Sequence, residues 1–299
     1  MARENNFVFL EWFTPAWLAS LCAIALQEDI EVDHVHRIIA TYRLEPPTDE
    51  PVPENWPFPV RLYSQGRQEV WCNGVPLEQA RGSRKPMALL WELVAEGGRG
   101  VSVEMLCDNI WPDAEGDTAY KALTTNVHRL RKLIGADAIR LEGGRLSLNG
   151  AVCWLDLWAW EQHLKQAQSC LEDNDLKRAE AAMSRALALY RGPLLNGAGD
   201  GASVLARREE CSRRMIRQLC ALTDKLISEG EASEAEDLLN KALSAEPYAE
   251  PLYQELIRAQ LAQGHTAQAR KTYDTCRLML QAHFKVEPTL ETQSLVQGI

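Results

Sequence analysis

The chain has 299 residues, of which 46% are hydrophobic and 25% charged, and its formal net charge is −10. This length predicts two or three domains, each able to bury a core. The composition excludes fibrous and extensively disordered classes, and no apolar run approaches the roughly 18 residues of a spanning helix. We therefore expect a soluble protein that does not associate with a membrane.

The N-terminus and the cysteines favour a reducing, cytoplasmic compartment. The first six residues lack the basic segment, apolar stretch and cleavage site of a signal peptide. The eight cysteines form no CxxC pair, which argues against a zinc ribbon, a redox pair and a dense disulfide framework. We expect free thiols that are buried as small apolar side chains.

Residues 1–56 are predicted to form a short helical segment and a linker. Apolar residues recur at helical spacing between Pro15 and Arg43, which predicts two short helices. Six prolines from Pro46 to Pro59 predict an extended, semi-rigid linker, so we place a domain boundary near residues 45–57. Two helices cannot build a core alone. This part therefore either packs on the rest of the chain or ends something larger.

Residues 57–150 are predicted to form a second domain with strands at both ends. Short segments at 60–63, 68–71 and 75–77, separated by glycine turns, predict a β-meander. Three helical patterns follow at 85–96, 102–111 and 118–134, and residues 138–149 predict a hairpin. Three helices and a terminal hairpin are typical of a winged helix-turn-helix, whose third helix enters the major groove of DNA.

The third helix carries the candidate DNA-binding residues. With Asp117 as its predicted N-cap, it places an apolar stripe from Leu123 to Ile134 toward the core. Its other faces carry hydroxyls and cations suited to phosphates and base edges: Lys121, Thr124, Thr125, His128, Arg129, Arg131 and Lys132. By segment the net charge is −7 for 1–56, +1 for 57–150 and −4 for 151–299. The alternative is a helix whose cations are merely solvated.

Three further cations are candidates for phosphate contacts, with plain solubility as the alternative. Arg84 and Lys85 precede the first helix, and Arg145 lies on the predicted wing. The acidic loop at 113–117 fails the spacing of a calcium loop. We interpret it as a cap for the third helix, or alternatively as a loop that contacts RNA polymerase.

Residues 151–299 are predicted to form helical repeats. From about Trp154 onward the pattern is helical throughout, and Gly230 and Gly264 lie 34 positions apart, as do Ala235 and Ala269. This is the period of tetratricopeptide (TPR) repeats, and Pro247 follows one unit as is usual in them. The interval predicts an α-solenoid of about three helical hairpins that binds a protein or a small ligand.

Signatures of enzymes are missing from the sequence. It contains no GxxxxGK[ST], GxSxG, HExxH or GxGxxG motif. His34 and His36 would point in different directions on a helix and cannot share a metal. We therefore expect neither catalysis nor a cofactor nor a metal.

The order of these motifs resembles a known family. Residues 85–93, 101–112 and 126–135 resemble the OmpR/PhoB-type winged helix of antibiotic-regulatory transcriptional activators, although Gly143-Gly144-Arg145-Leu146 replaces the usual glycine-aromatic pattern of the wing. Residues 154–161, 189–195, 246–253 and 273–280 resemble the bacterial transcriptional activator domain that follows it. The first 56 residues resemble instead the segment before this output module in long, ATPase-containing MalT-like regulators.

The resemblance implies a sequence-specific activator that binds direct repeats in double-stranded DNA beside promoters and contacts RNA polymerase. By position, it implies DNA contacts at the residues of the third helix named above. The predicted fold is mainly α with a small β component: a winged helix-turn-helix at 57–150 followed by a TPR-like domain at 151–299. We expect this second domain to serve for dimerisation or partner contact, and we expect a homodimer. The chain is then the output half of a longer regulator or a truncated relative. The alternatives are a protein-interaction adaptor that does not bind DNA and a ligand-sensing domain.

Overall fold

The computed structural model describes residues 14–48, 52–78, 84–197 and 201–297. The contacts divide these residues into two compact units. The first takes in the described residues of Met1–Ser64, Gln68–Gln162 and Gly197–Val204, and the second those of Gln65–Arg67, His163–Asn196 and Leu205–Ile299. The partition at residues 56 and 150 stays a prediction.

The described residues form twelve α-helices and seven strands. The helices are α1 Pro15–Gln27, α2 Val32–Tyr42, α3 Arg84–Ala95, α4 Val103–Ile110, α5 Gly116–Ile134, α6 Asp156–Glu172, α7 Leu176–Leu189, α8 Ala202–Ser228, α9 Ala232–Ala245, α10 Glu250–Ala262, α11 Thr266–Phe284 and α12 Leu290–Leu295. The strands are β1 Val60–Tyr63, β2 Glu69–Cys72, β3 Val75–Pro76, β4 Val101–Ser102, β5 Ile139–Glu142, β6 Arg145–Leu148 and β7 Cys153–Leu155. The predicted fold class, mainly α with a small β component, is confirmed.

The two N-terminal helices form as predicted and pack on each other. The proline-rich segment packs as well, because Asn55 Nδ2 donates to Leu26 O at 2.9 Å and Asn55 O lies 2.6 Å from His36 Nε2. Trp56 and Phe58 are buried. The described part of this segment is therefore held against α1 and α2. Residues 49–51 lie outside the described residues.

The predicted β-meander is present, but its sheet contains a strand that the sequence did not indicate. The order is β3-β2-β1-β7, with β7 parallel to β1 and Cys153 opposite Val60. The prediction that the chain is helical from about Trp154 is therefore wrong for β7. The three residues of β7 are all buried, and a short, fully apolar run has no periodicity that separates strand from helix.

A buried carboxylate joins this sheet to α6. Asp156, the first residue of α6, accepts hydrogen bonds from Ser64 N at 2.9 and 2.8 Å and from Ser64 Oγ at 2.6 Å. Ser64 directly follows β1, and both residues are buried. The contact therefore fixes the end of β1 to the start of α6.

The winged helix-turn-helix consists of α3, α4 and α5, which pack on one another, and a sheet of order β4-β6-β5. Gly143 and Gly144 connect β5 to β6 with φ of 54° and 72°, as a tight hairpin requires. The predicted N-cap Asp117 is wrong. Helix α5 begins at Gly116 and its N-cap is Glu115, whose carbonyl accepts from Thr118 N and Ala119 N at 2.9 Å. Asp117 lies in the first turn, where a carboxylate favours the helix dipole.

The second unit contains helical hairpins joined by one recurring turn. The linking residues Asn174, Gly230 and Gly264 all have positive φ. In each turn the backbone amide of the residue after the linking residue donates to the carbonyl oxygen five positions before it. The N–O distance is 2.8 Å in all three turns. The turns connect α6 to α7, α8 to α9 and α10 to α11, which confirms about three hairpins. This is the left-handed helix end that glycine or asparagine adopts readily.

Three further properties bear on the predicted chemistry. No helix among the described residues combines the length and apolarity needed to cross a bilayer. All eight cysteines are free thiols, and six are buried. Over residues 14–48, 52–78, 84–197 and 201–297 no three histidine, cysteine or acidic side chains are arranged to hold a metal ion.

Candidate nucleic-acid interface

Helix α5 is seated on the winged-helix core by the predicted apolar stripe. Leu123, Val127, Leu130 and Ile134 are at most 4% exposed. Because an α-helix turns about 100° per residue, the opposite side carries the side chains at spacings of four, three and four. We call this set the exposed stripe, and it consists of Lys121, Thr125, His128 and Lys132, all exposed.

The positive charge of this surface is not neutralised locally. The side chains of Lys121, His128, Lys132 and the adjacent, exposed Arg129 have no hydrogen-bond or ion-pair partner among the described residues. The one acidic residue of α5, Asp117, lies in its first turn. The cations can therefore contact phosphates without first breaking an ion pair.

The two threonines differ in what they present. Thr125 Oγ1 donates to Lys121 O at 2.8 Å, and Thr124 Oγ1 lies 3.1 Å from both Tyr120 O and Lys121 O. Since the hydroxyl hydrogens are directed to the helix backbone, each threonine presents a methyl group and an acceptor oxygen. Thr125 is exposed, whereas Thr124 is half-buried. Thr125 is thus the better placed of the two for a base edge.

Arg131 lies apart from the exposed stripe. Its side chain is half-buried, and Nε and Nη2 donate to Ile139 O at 3.1 and 2.9 Å. Ile139 is the first residue of β5, so this guanidinium connects the C-terminal end of α5 to the wing. The geometry indicates a positioning role for Arg131, and a direct contact of its side chain with DNA stays a prediction.

Arg131→Met is expected to lower the free energy of unfolding by about 1 to 2 kcal/mol, because a charged donor pair to Ile139 O is lost. Chemical denaturation monitored by circular dichroism measures this change. Lys132→Met is the matched control, since its exposed ammonium has no partner among the described residues and its removal should change stability by less than about 0.5 kcal/mol. Equal stabilities of the two variants would contradict a stabilising contact between Arg131 and Ile139 O.

The remaining predicted contacts lie on other elements. Arg145 is exposed on β6, and its Nη1 donates to Gly100 O at 2.7 Å. Arg84 and Lys85 are exposed in the first turn of α3. Arg140, which is exposed on β5, is a further cation that was not among the predicted contacts. The alternation of that strand, with Ile139 buried, would have indicated it.

The loop between α4 and α5 exposes acidic side chains. Asp113 and Glu115 are both exposed, and Trp111 is half-buried.

The two histidines of α2 have separate contacts. His34 Nδ1 lies 3.4 Å from Arg37 Nη2, while His36 faces Asn55 O. The two imidazoles thus have different partners.

Two family models match the chain. Residues 155–299 match the bacterial transcriptional activator domain, and residues 78–142 match the C-terminal domain of transcriptional regulatory proteins. The first match covers the helical repeats, and the second covers α3 to β5.

The chain is also similar to named regulators. Regulatory protein AfsR of Streptomyces coelicolor is 28% identical over 241 residues, which are 80% of this chain and 24% of AfsR. Regulatory protein DnrI of Streptomyces peucetius is 26% identical over 231 residues, which are 73% of this chain and 84% of DnrI. The chain thus spans about a quarter of the length of AfsR.

The fold is similar to that of a solved structure of EmbR of Mycobacterium tuberculosis in complex with a low affinity phosphopeptide, with a TM-score of 0.60 and 22% sequence identity. The match covers 80% of this chain and 64% of the EmbR chain. At this identity the likeness concerns the fold alone.

Proposed function

Because the chain belongs to the family of regulators that join an OmpR/PhoB-type DNA-binding domain to a bacterial transcriptional activator domain, we propose that it is a sequence-specific DNA-binding activator of transcription. The observation that carries this proposal is the exposed stripe on α5, whose cations have no partner among the described residues. The protein acts by binding and positioning, not by catalysis, and needs no cofactor.

Recognition divides between phosphates and bases. Lys121, Arg129 and Lys132 contact phosphates and fix the register of α5 in the major groove. Thr125 and His128 face the base edges, where one good contact discriminates by about 1 to 3 kcal/mol. Arg84, Lys85 and Arg145 add phosphate contacts, and Arg131 holds the wing in position. The acidic remainder of the chain, with a net charge of −10 overall, limits binding to random DNA.

Two further surfaces of the chain bind partners other than DNA. The helical repeats pair two copies into a homodimer that holds two half-sites of a direct repeat at a set spacing. The exposed acidic loop with Asp113 and Glu115 contacts RNA polymerase. The compartment is the cytoplasm.

The salt dependence of DNA binding tests the proposal. The test uses a DNA duplex that the protein selects from a random-sequence library. The logarithm of its association constant should fall linearly with the logarithm of the salt concentration, with a slope of about −0.9 per phosphate contacted. Lys121→Ala and Lys132→Ala should each reduce the magnitude of the slope by about one unit and weaken binding to all sequences alike. Fluorescence anisotropy at several salt concentrations measures both quantities.

Lys177→Ala is the matched control, because it removes one exposed positive charge from α7 and should leave the slope unchanged. Thr125→Ala should alter the sequence preference more than Lys132→Ala does. Equal effects of these two on every sequence would overturn Thr125 as a base reader. If the unaltered chain failed to bind DNA even at low salt, the adaptor function would replace the activator.

A further inference from the structure

The second unit contains a groove of its own. It has a volume of about 310 Å³ and opens between α6, α7 and α8. Its size falls at the lower end of the range for small-molecule sites. The groove has no role in the proposed recognition of DNA by α5.

The floor of the groove is apolar and well packed. It consists of Ala167 on α6, Met183 on α7 and Leu222 on α8, each at most 3% exposed. Leu171 and Ala221 form its walls. An apolar body that entered the groove would remove its own apolar surface from water and pack against these side chains, which favours binding.

Two glutamines hold one wall in place. Gln218 Nε2 on α8 donates to Gln168 Oε1 on α6 at 3.0 Å, and Gln168 Nε2 donates to Glu172 Oε1, also at 3.0 Å. A carboxylate accepts hydrogen bonds and does not donate them, so the bond to Glu172 fixes the orientation of the Gln168 amide. The bond from Gln218 then fixes the orientation of the second amide. The chain of hydrogen bonds ties α6 to α8, so the groove is already formed without an occupant.

Arg217 supplies a cation at this groove. It is exposed, and it has no acidic partner among the described residues. Other arginines of α8 are engaged: Arg207 pairs with Glu210 at 2.7 Å and Arg213 with Glu209 at 3.6 Å, while Arg208 donates to Leu194 O and Leu195 O. A guanidinium matches a carboxylate in shape and charge through two parallel hydrogen bonds.

We propose that this groove binds a small monocarboxylic acid with an apolar body. The carboxylate pairs with Arg217, and the apolar body covers Met183 and Leu222. A single cation beside an apolar floor favours one negative charge over the multiple charges of a nucleotide, and the volume favours one ring or a short chain. The chain would thus carry a site for an acidic effector on its repeats.

Isothermal titration of the whole chain with 4-phenylbutyrate and octanoate tests the site. Both acids should bind saturably with one site per chain, and the uncharged 4-phenylbutyramide should bind about tenfold more weakly or worse. Arg217→Gln should weaken the acids by about tenfold and leave the amide unaffected. Arg213→Gln, an exposed arginine one turn earlier on the same helix, should leave all three affinities unchanged.

A second variant tests the groove itself. Ala221→Trp should fill the groove and abolish binding of both acids, and because Ala221 is exposed the variant should keep the thermal unfolding midpoint of the unaltered chain. Three results would each overturn the proposal: no saturable binding of either acid, equal losses in the two arginine variants, or binding retained in folded Ala221→Trp. DNA binding is measured in a separate experiment. A failure to bind DNA would therefore not affect the interpretation of acid binding.

Discussion

Asp156→Ala is expected to lower the free energy of unfolding of the first unit by about 3 kcal/mol. The carboxylate accepts from both the backbone amide and the hydroxyl of Ser64, which is fully buried. Removing it leaves two buried donors without that acceptor, and each costs free energy in a site that water does not reach. Urea denaturation monitored by the fluorescence of the tryptophans measures the change.

Two variants separate this contact from a general effect of charge. Ser64→Ala removes the hydroxyl but keeps the backbone amide bond, so it should cost about 1 kcal/mol. Asp173→Ala removes an exposed carboxylate and should change stability by less than about 0.5 kcal/mol. If Asp156→Ala were as mild as Asp173→Ala, the contact would not join the sheet to α6.

The second unit is expected to lose about 2 kcal/mol of stability between pH 7 and pH 5 through His163. Burial, with a smaller contribution from Arg185, lowers the pKa of His163 from 6.5 to about 4. The folded state therefore binds fewer protons than the unfolded state between these values. Stability is complete above pH 6.5 and is lost as the pH falls toward 4.

His163→Leu should remove this pH dependence, whatever its effect on stability at pH 7, because leucine fills the buried site without a titrating group. Denaturation curves at pH 5, 6 and 7 for both proteins measure the difference. His265→Leu is the control, since His265 is exposed and should leave the dependence in place. If the pH dependence of stability persisted in His163→Leu, groups other than His163 would be its cause.

The parts of the fold that were predictable from sequence are those set by local periodicity. The stripe from Leu123 to Ile134 predicted which side of α5 is buried, and burial of all four of its apolar residues confirmed it. The 34-residue interval between Gly230 and Gly264 predicted helical repeats, and both glycines have the positive φ of the turns between paired helices. Both signals are regular spacings along the chain.

Two of the differences arose at contacts between separate elements. Strand β7 forms because β1, more than ninety residues earlier, offers it a free edge. The error at the N-cap of α5 was instead local, because aspartate is a preferred N-cap residue and glutamate is not, so residue preference favoured Asp117 over Glu115. The pattern placed Arg131 among the cations of α5, but its proximity to Ile139 O directs it to the wing.

The sequence by itself determined the helical periods, the turns and the set of cations on α5, because these depend on residues a few positions apart. Only the tertiary structure decided which cations remain without partners, where Asp156 finds its donors and that a groove beside Arg217 is formed. Those outcomes depend on contacts between segments distant in sequence. Periodicity along the chain carries no information about such contacts.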